Sequence, residues 1–420
     1  MSGPTPAKRW LPGHTMAAVA TVALFASAPG QTFVVSLFNA SLSRELRVEA
    51  LALNVAYTIA TVAAGLPLVY VGALADRFGP RRALAGVALA FALACVVMSS
   101  VVDVVTMFVG FFLLRFLGQG ALTLVAHHTV AMWFHRRLGS VHAVMQVSLF
   151  AAWAFVPMAV QASITSLGWR ITYLVLGAVV ALAVAPPALR FVRDRPEDLG
   201  LRLDGASAEH VAETEIAFSL RAARRTRAYW TLALVFFVSP LIGTALLFDM
   251  QPILAARGVD ADRAAVAITA WTATMAIFAL PAGALTDRVH PAPLLAVASI
   301  GMAIACGLAW RASTGLEMAI AMVVLGASQS TISSVAPAAV ARFFGRTNHG
   351  AIRASISRIA VFGTGLGPLS TGLSSHFTSG YEVALLGFAA ASMPVALVCA
   401  FLRAPPQPSR PGVGGIAPPR

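Results

Sequence analysis

Gly72-Ala73-Leu74-Ala75-Asp76-Arg77-Phe78-Gly79-Pro80-Arg81-Arg82 changes character twice within eleven residues. An apolar run over 50–73 ends there, a carboxylate and three arginines follow, and a second apolar run starts at 83. Both runs are about as long as the roughly 20 residues a helix needs to cross a bilayer. The stretch therefore reads as a charged loop at a membrane surface, joining two spanning helices. The same pattern partly recurs as Gly283-Ala284-Leu285-Thr286-Asp287-Arg288, 211 residues further on. The recurrence lacks the basic end, having Val289-His290-Pro291 instead, and predicts a weaker second copy.

One register relates the two halves of the chain. A shift of 211 residues places Pro29 on Pro240, Gly72 on Gly283, Cys95 on Cys306, Gly139 on Gly350 and Pro157 on Pro368. Apolar segments fall at 15–39, 50–73, 83–102, 104–133, 141–166 and 170–190, then at 228–255, 263–285, 293–311, 316–343, 350–376 and 381–402. Backbone polar groups in lipid must be satisfied internally, and these segments are too long for barrel strands, so each is a helix. The expectation is an all-α membrane protein of twelve transmembrane helices in two pseudo-symmetric six-helix bundles, residues 15–190 and 228–402. A charged linker, 191–227, joins them, and tails at 1–14 and 403–420 are too rich in Pro and Gly to pack.

Composition agrees. Of 420 residues, 58% are hydrophobic and 11% charged, against about 25% charged in soluble proteins. The net charge of +13 lies between apolar segments rather than on an aromatic-rich patch, which argues against nucleic acid as a partner. With both termini cytoplasmic, 22 Lys and Arg fall on the inside and six on the outside, as the positive-inside rule requires. The Arg-over-Lys bias with abundant Ala points to a GC-rich bacterial genome and an inner-membrane location. Ala26-Ser27-Ala28 resembles a cleavage site, but removal of the first segment would break the six-and-six pattern, so that segment is read as a helix. Cys95, Cys306 and Cys399 lie within spans as packing residues, with no metal spacing. No P-loop pattern is present, so ATP is not expected as the energy source, and no cofactor is expected.

The stretch 72–82 is similar to the signature loop of the major facilitator superfamily, G-x-L-x-D-R-x-G-x-R-R. Arg115-Phe116-Leu117-Gly118-Gln119-Gly120 resembles that family's second motif. The resemblance covers essentially the whole chain. It implies a secondary transporter, not an enzyme: a monomer in the lipid bilayer that carries a small-molecule substrate between two rocking halves. Gly72, Asp76, Arg77, Gly79, Arg81 and Arg82, with Gly283, Asp287 and Arg288, would form a conformational gate. Asp76 would pair with nearby arginines and meet a helix N-terminus across the interface. Pro29 to Phe33, Arg195 to Arg202 and Phe344 to Arg353 look like bacterial monocarboxylate and oxalate/formate porters, which implies an organic anion moved by proton symport or exchange. A proton-coupled drug or metabolite efflux antiporter is the alternative. It fits less well because the fifth helix, around Pro157, lacks the glycines those relatives carry. A membrane sensor or enzyme on the same scaffold is more remote, since no convergent catalytic set is visible.

Several intramembrane residues are candidates for the work. A charge near mid-membrane is costly and normally faces a cavity or a partner. Arg115 therefore either handles substrate or protons or pairs with backbone carbonyls. Arg358 is either a second cationic anchor or reaches the surface. Gln31, Gln119, Gln329 and Trp271 are candidate substrate contacts, each equally readable as a helix–helix hydrogen bond. Asp249, the one carboxylate well inside a span, and His127 are candidates for proton coupling. Asp249 also fits an exposed position near the outer end, and His127 plain polar lining.

Overall fold

The computed structural model describes residues 6–48, 50–205, 218–258, 261–378 and 380–406. The outer parts of both tails and the middle of the linker lie outside the described residues. Twelve helical elements carry the fold. α1 (Pro6–Phe25) is followed by a bent continuation that ends at Leu46, the two parts of this first span meeting at 42°. Then come α2 (Ala50–Gly65), α3 (Leu68–Ser99), α4 (Val104–Ala131), α5 (Leu138–Leu167) and α6 (Trp169–Phe191). The second half has α7 (Arg227–Ala255), α8 (Ala261–Thr286), α9 (Pro291–Arg311), α10 (Gly315–Phe344), α11 (His349–Thr378) and α12 (Glu382–Ala400). No strand occurs among the described residues.

Nine helices among the described residues are long and apolar enough to span, or ten with the bent first pair. Two features account for the difference from twelve. The continuous stretch Val55–Ser99 is 45 residues long, which at 1.5 Å per residue is about twice the bilayer core. It contains two spans, parted at Gly79, where φ of 79° takes the chain out of the helix. α11 falls short on composition because Arg353 and Arg358 stand in its first half and Gly, Ser and Thr fill much of its second.

Helix ends are fixed by side chains. Asp103 accepts from the Thr106 N–H at 2.7 Å to start α4, Thr226 from Tyr229 to start α7, and Thr314 from Glu317 to start α10. Arg170 donates to the carbonyls of Ser99 and Val101 at the end of α3. Arg257 does the same to Ala309 and Ala312 at the end of α9, the element 211 residues later.

Each half has its own core. One runs from Met16 to Val192 and the other from Phe218 to Leu402, with Ala338, Ala341 and Ala354 joining the first core and Phe150 the second. The outer surface is apolar: Leu182, Val105, Met158, Ile277 and Val297 are all about 70% exposed. Such a belt suits lipid and not water. The halves meet along a seam in which α5 packs on α8 and α3 on α11. These two contacts exchange under the 211-residue shift. The three cysteines are buried and free.

Candidate functional site

The signature loop closes the seam. A Cβ on Gly72 would run into the backbone carbonyl of Gly350, so only glycine lets α3 and α11 touch there. That contact brings the Asp76 carboxylate over the start of α11, where it accepts from the N–H groups of Gly350 and Ala351, both at 2.8 Å. The second copy repeats the arrangement. Gly283 meets the Gly139 backbone, and Asp287 accepts from the N–H groups of Gly139 at 2.7 Å and Ser140 at 3.0 Å at the start of α5. Each carboxylate thus supplies acceptors and negative charge to a helix N-terminus of the opposite half.

Two expectations need correction. Arg77, Arg81 and Arg82 form no ion pair with Asp76 among the described residues. Arg77 lies against the Phe78 ring, and the Arg81 backbone N–H donates to Asp194 at 2.9 Å. The positive φ of Gly79 makes this possible, and a Cβ there would collide with the Asp194 carboxylate. Nor does the second copy go without a cation. Arg342, arriving from α10, donates to Asp287 at 3.0 Å and to the Thr286 carbonyl at 2.6 Å, replacing the basic end that the loop lacks. Arg288 is exposed.

Further into the membrane, α4 changes winding. Arg115–Leu122 is a π-helix, a form that concentrates at functional positions. Arg115 opens it and is 2% exposed. Its Nη1 donates to the Gly30 carbonyl at 3.0 Å and to Thr32 Oγ1 at 3.2 Å, and its Nε donates to Thr61 Oγ1 at 3.2 Å. The guanidinium stands 5.3 Å from the Tyr57 ring centroid, and the Tyr57 hydroxyl donates to Thr32. All of these partners are neutral. Arg358, on α11, lies across the seam with its Cγ beside Gly65 of α2 and its buried Nε unpartnered. Thr61 and Gly65 are four residues apart, so the two arginines address one face of α2 about one turn apart. Tyr57, Thr61 and Gly65 mark that face in the sequence as a small polar stripe at helical spacing.

The other candidates fall in different places. Gln329 is engaged at both ends of its amide, donating to the Ser239 carbonyl at 2.8 Å and accepting from Trp271 Nε1 at 3.0 Å, which ties α7, α8 and α10 together. Trp271 in turn meets Trp153 of α5 edge to face across the seam, 5.8 Å between centroids. Gln31 donates to Ser27 Oγ within the first span. Gln119 lies half-buried one turn beyond Arg115. Asp249 accepts from the Thr371 hydroxyl, joining α7 to α11. His127 is buried against His142, their Nδ1 atoms 2.8 Å apart. Two residues were hidden from the sequence reading. Arg353 is buried over the Phe236 ring, and His349 is buried beside His128.

The sequence matches the description "Major Facilitator Superfamily" over residues 20–260 and again over 232–417. The chain belongs to the major facilitator superfamily. Solved structures agree on the fold. The human organic anion transporter MFSD10 (TETRAN) superposes with a TM-score of 0.72 at 13% identity, covering 92% of this chain and 99% of that one. FucP, a transporter of the superfamily captured in the outward conformation, gives 0.71 at 15% identity, covering 92% and 98%. The proton:xylose symporter XylE gives 0.68 at 14%, covering 93% and 96%. None of the curated proteins matches in sequence. This major facilitator protein is therefore a multi-pass membrane transporter rather than an enzyme, built for secondary transport of a small molecule.

Proposed function

We propose that this transporter carries a small organic anion, in the simplest case a monocarboxylate, by proton symport or by exchange. The observation that supports it is Arg115: a buried guanidinium satisfied by a carbonyl, two hydroxyls and an aromatic face, with no carboxylate among those partners. A membrane-embedded cation held only by neutral groups keeps its positive field for a visiting anion. Arg358, one turn away along α2, adds a second cation whose buried Nε–H has no partner. Two arginines so placed can hold one carboxylate by charge-assisted hydrogen bonds. The fold shared with MFSD10 supports transport in general, so the substrate class rests on the two arginines.

In this reading the protein is a monomer in a bacterial inner membrane, and the closed end of the seam, with Asp76 and Asp287, faces the cytoplasm together with both termini. Residues 15–190 and 228–402 rock about the bound anion, and 191–227 links them. Asp249 and His127 remain candidates for proton coupling. Purified protein in proteoliposomes, offered labelled carboxylates with and without an inward proton gradient, tests the proposal. Accumulation of at least one carboxylate, lost on Arg115→Ala, is expected. Transport of neutral solutes only, or full carboxylate transport by Arg115→Ala, would overturn it.

A further inference from the structure

The two gates are built alike but charged differently. Asp287 is held by a permanent cation, Arg342, at 3.0 Å. Asp76, its counterpart, has instead the imidazole of His128 at 3.9 Å. His128 comes from α4 and is almost fully buried, and its Nδ1 lies 3.3 Å from Nδ1 of His349 in the first turn of α11. The rings stack nearly parallel, 5.6 Å between centroids and 20° between planes. The contact crosses the seam: one ring belongs to each half, at the helix end that Asp76 caps.

Two imidazoles in Nδ1-to-Nδ1 contact need at least one lone pair between them. One nitrogen donates its proton and the other accepts it. Two imidazolium rings would turn N–H against N–H and positive charge against positive charge. The closed pair therefore holds at most one extra proton, whereas the separated rings can hold two. The closed pair is also uncomfortable when neutral. Nε2 of both rings is buried without a partner, and the ring that accepts at Nδ1 carries its proton on Nε2, so one buried N–H has no acceptor. Other charges face the pair from every side: Asp76 from α3, Arg195 from the linker, Arg353 from α11, and the second imidazole pair, His127 and His142, from α4 and α5. Three of these four neighbours are basic and oppose a second proton as well.

We propose that His128 and His349, seated beside Asp76, are a proton-binding latch, in which the closed seam excludes a proton that the open seam takes up. Acid then favours opening at the Asp76 gate. The inference rests on the alternating opening of a shared seam and not on which substrate is carried.

The test reads conformation directly. Phe78→Cys and Thr347→Cys place spin labels at exposed positions on the two halves of the Asp76 end. Inter-label distances are measured in nanodiscs without substrate. An imidazole exposed by opening titrates near its ordinary value of about 6.5, so exclusion of one proton raises the open-to-closed ratio about tenfold between about pH 8 and pH 5.5. The doubly substituted His128→Asn, His349→Asn protein should show less than about a twofold change over the same range. Each single substitution leaves one buried imidazole that opening would still expose, and should keep part of the response. His376→Gln, at the far end of α11, should keep the full response. Identical distances at high pH in parent and variants establish that the variants are folded. A parent without the shift, or a double variant that keeps it, would overturn the latch. Uptake plays no part in this measurement. Failure to transport carboxylates would leave the latch standing, and a pH-insensitive seam in a carboxylate transporter would remove the latch alone.

Discussion

Arg115 concentrates the chemistry of this protein in one side chain. Its buried charge is distributed over the Gly30 carbonyl, Thr32, Thr61 and the face of Tyr57, so its geometry is set by two other segments, the first span and α2. A planar, forked cation suits that task, whereas an ammonium is a point charge. Arg115→Ala should abolish uptake in proteoliposomes while the purified protein stays monodisperse in detergent. Arg115→Lys should retain charge but lose the fork, and uptake should fall by roughly tenfold or more. Tyr57→Phe removes the hydrogen bond that orients Thr32, worth about 1 kcal/mol, and should raise KM roughly fivefold with little change in kcat. A sequence reader sees that an arginine sits in a membrane helix. Its partners lie between positions 30 and 61, far from it in sequence, and become neighbours only once the helices pack.

Among elements, the two carboxylate-capped helix ends decide whether the seam closes. Asp76→Asn and Asp287→Asn both remove charge-assisted bonds to a helix N-terminus, each worth about 1.5–3 kcal/mol. Their stability effects should differ. Asp76→Asn strands no buried permanent cation, Arg195 being exposed, but Asp287→Asn leaves Arg342 partly buried without its counter-charge. The melting temperature in detergent should therefore fall several degrees further for Asp287→Asn, and equal melting would contradict this account of the two gates. Gly72→Val should block closure outright, because the Gly350 backbone occupies the space of any side chain. Seam distances in that variant should show the open population only. Outside the membrane, the Thr106 N–H and hydroxyl hold the Asp103 carboxyl below its ordinary range. Its support for the start of α4 is complete above the ordinary carboxylate range and is lost as pH falls through the lowered value. Amide exchange at residues 104–107 should accelerate only in strong acid.

At the scale of the whole molecule, two cores share one seam, and the seam is lined by small residues where the halves meet. An ideal Cβ at Gly365 of α11 would lie 3.0 Å from the nearest methyl of Val62 on α2, a separation that suits a disulfide between cysteines at these positions. Val62→Cys combined with Gly365→Cys should cross-link under mild oxidation, arrest transport and recover on reduction. Free transport by the fully cross-linked protein would show that these faces do not separate. The native cysteines are buried and should not interfere.

Twelve apolar segments, their lengths and the 211-residue register were legible because lipid imposes a one-dimensional rule: every span must be long, apolar and helical. The signature stretch at 72–82 added the family, since its glycines and carboxylate recur wherever two helices must touch and release. Pairing across the seam was beyond any such rule. That Asp76 would cap α11 and not bind Arg77, that Arg342 would replace a missing loop cation, that Gln329 would be consumed by Trp271 and Ser239, and that His128 would meet His349 all depend on helices up to 274 residues apart in sequence. Hydropathy describes how a residue treats lipid. Which polar group it finds inside the protein depends on helix rotation and packing, and those are settled only when both bundles have assembled against each other.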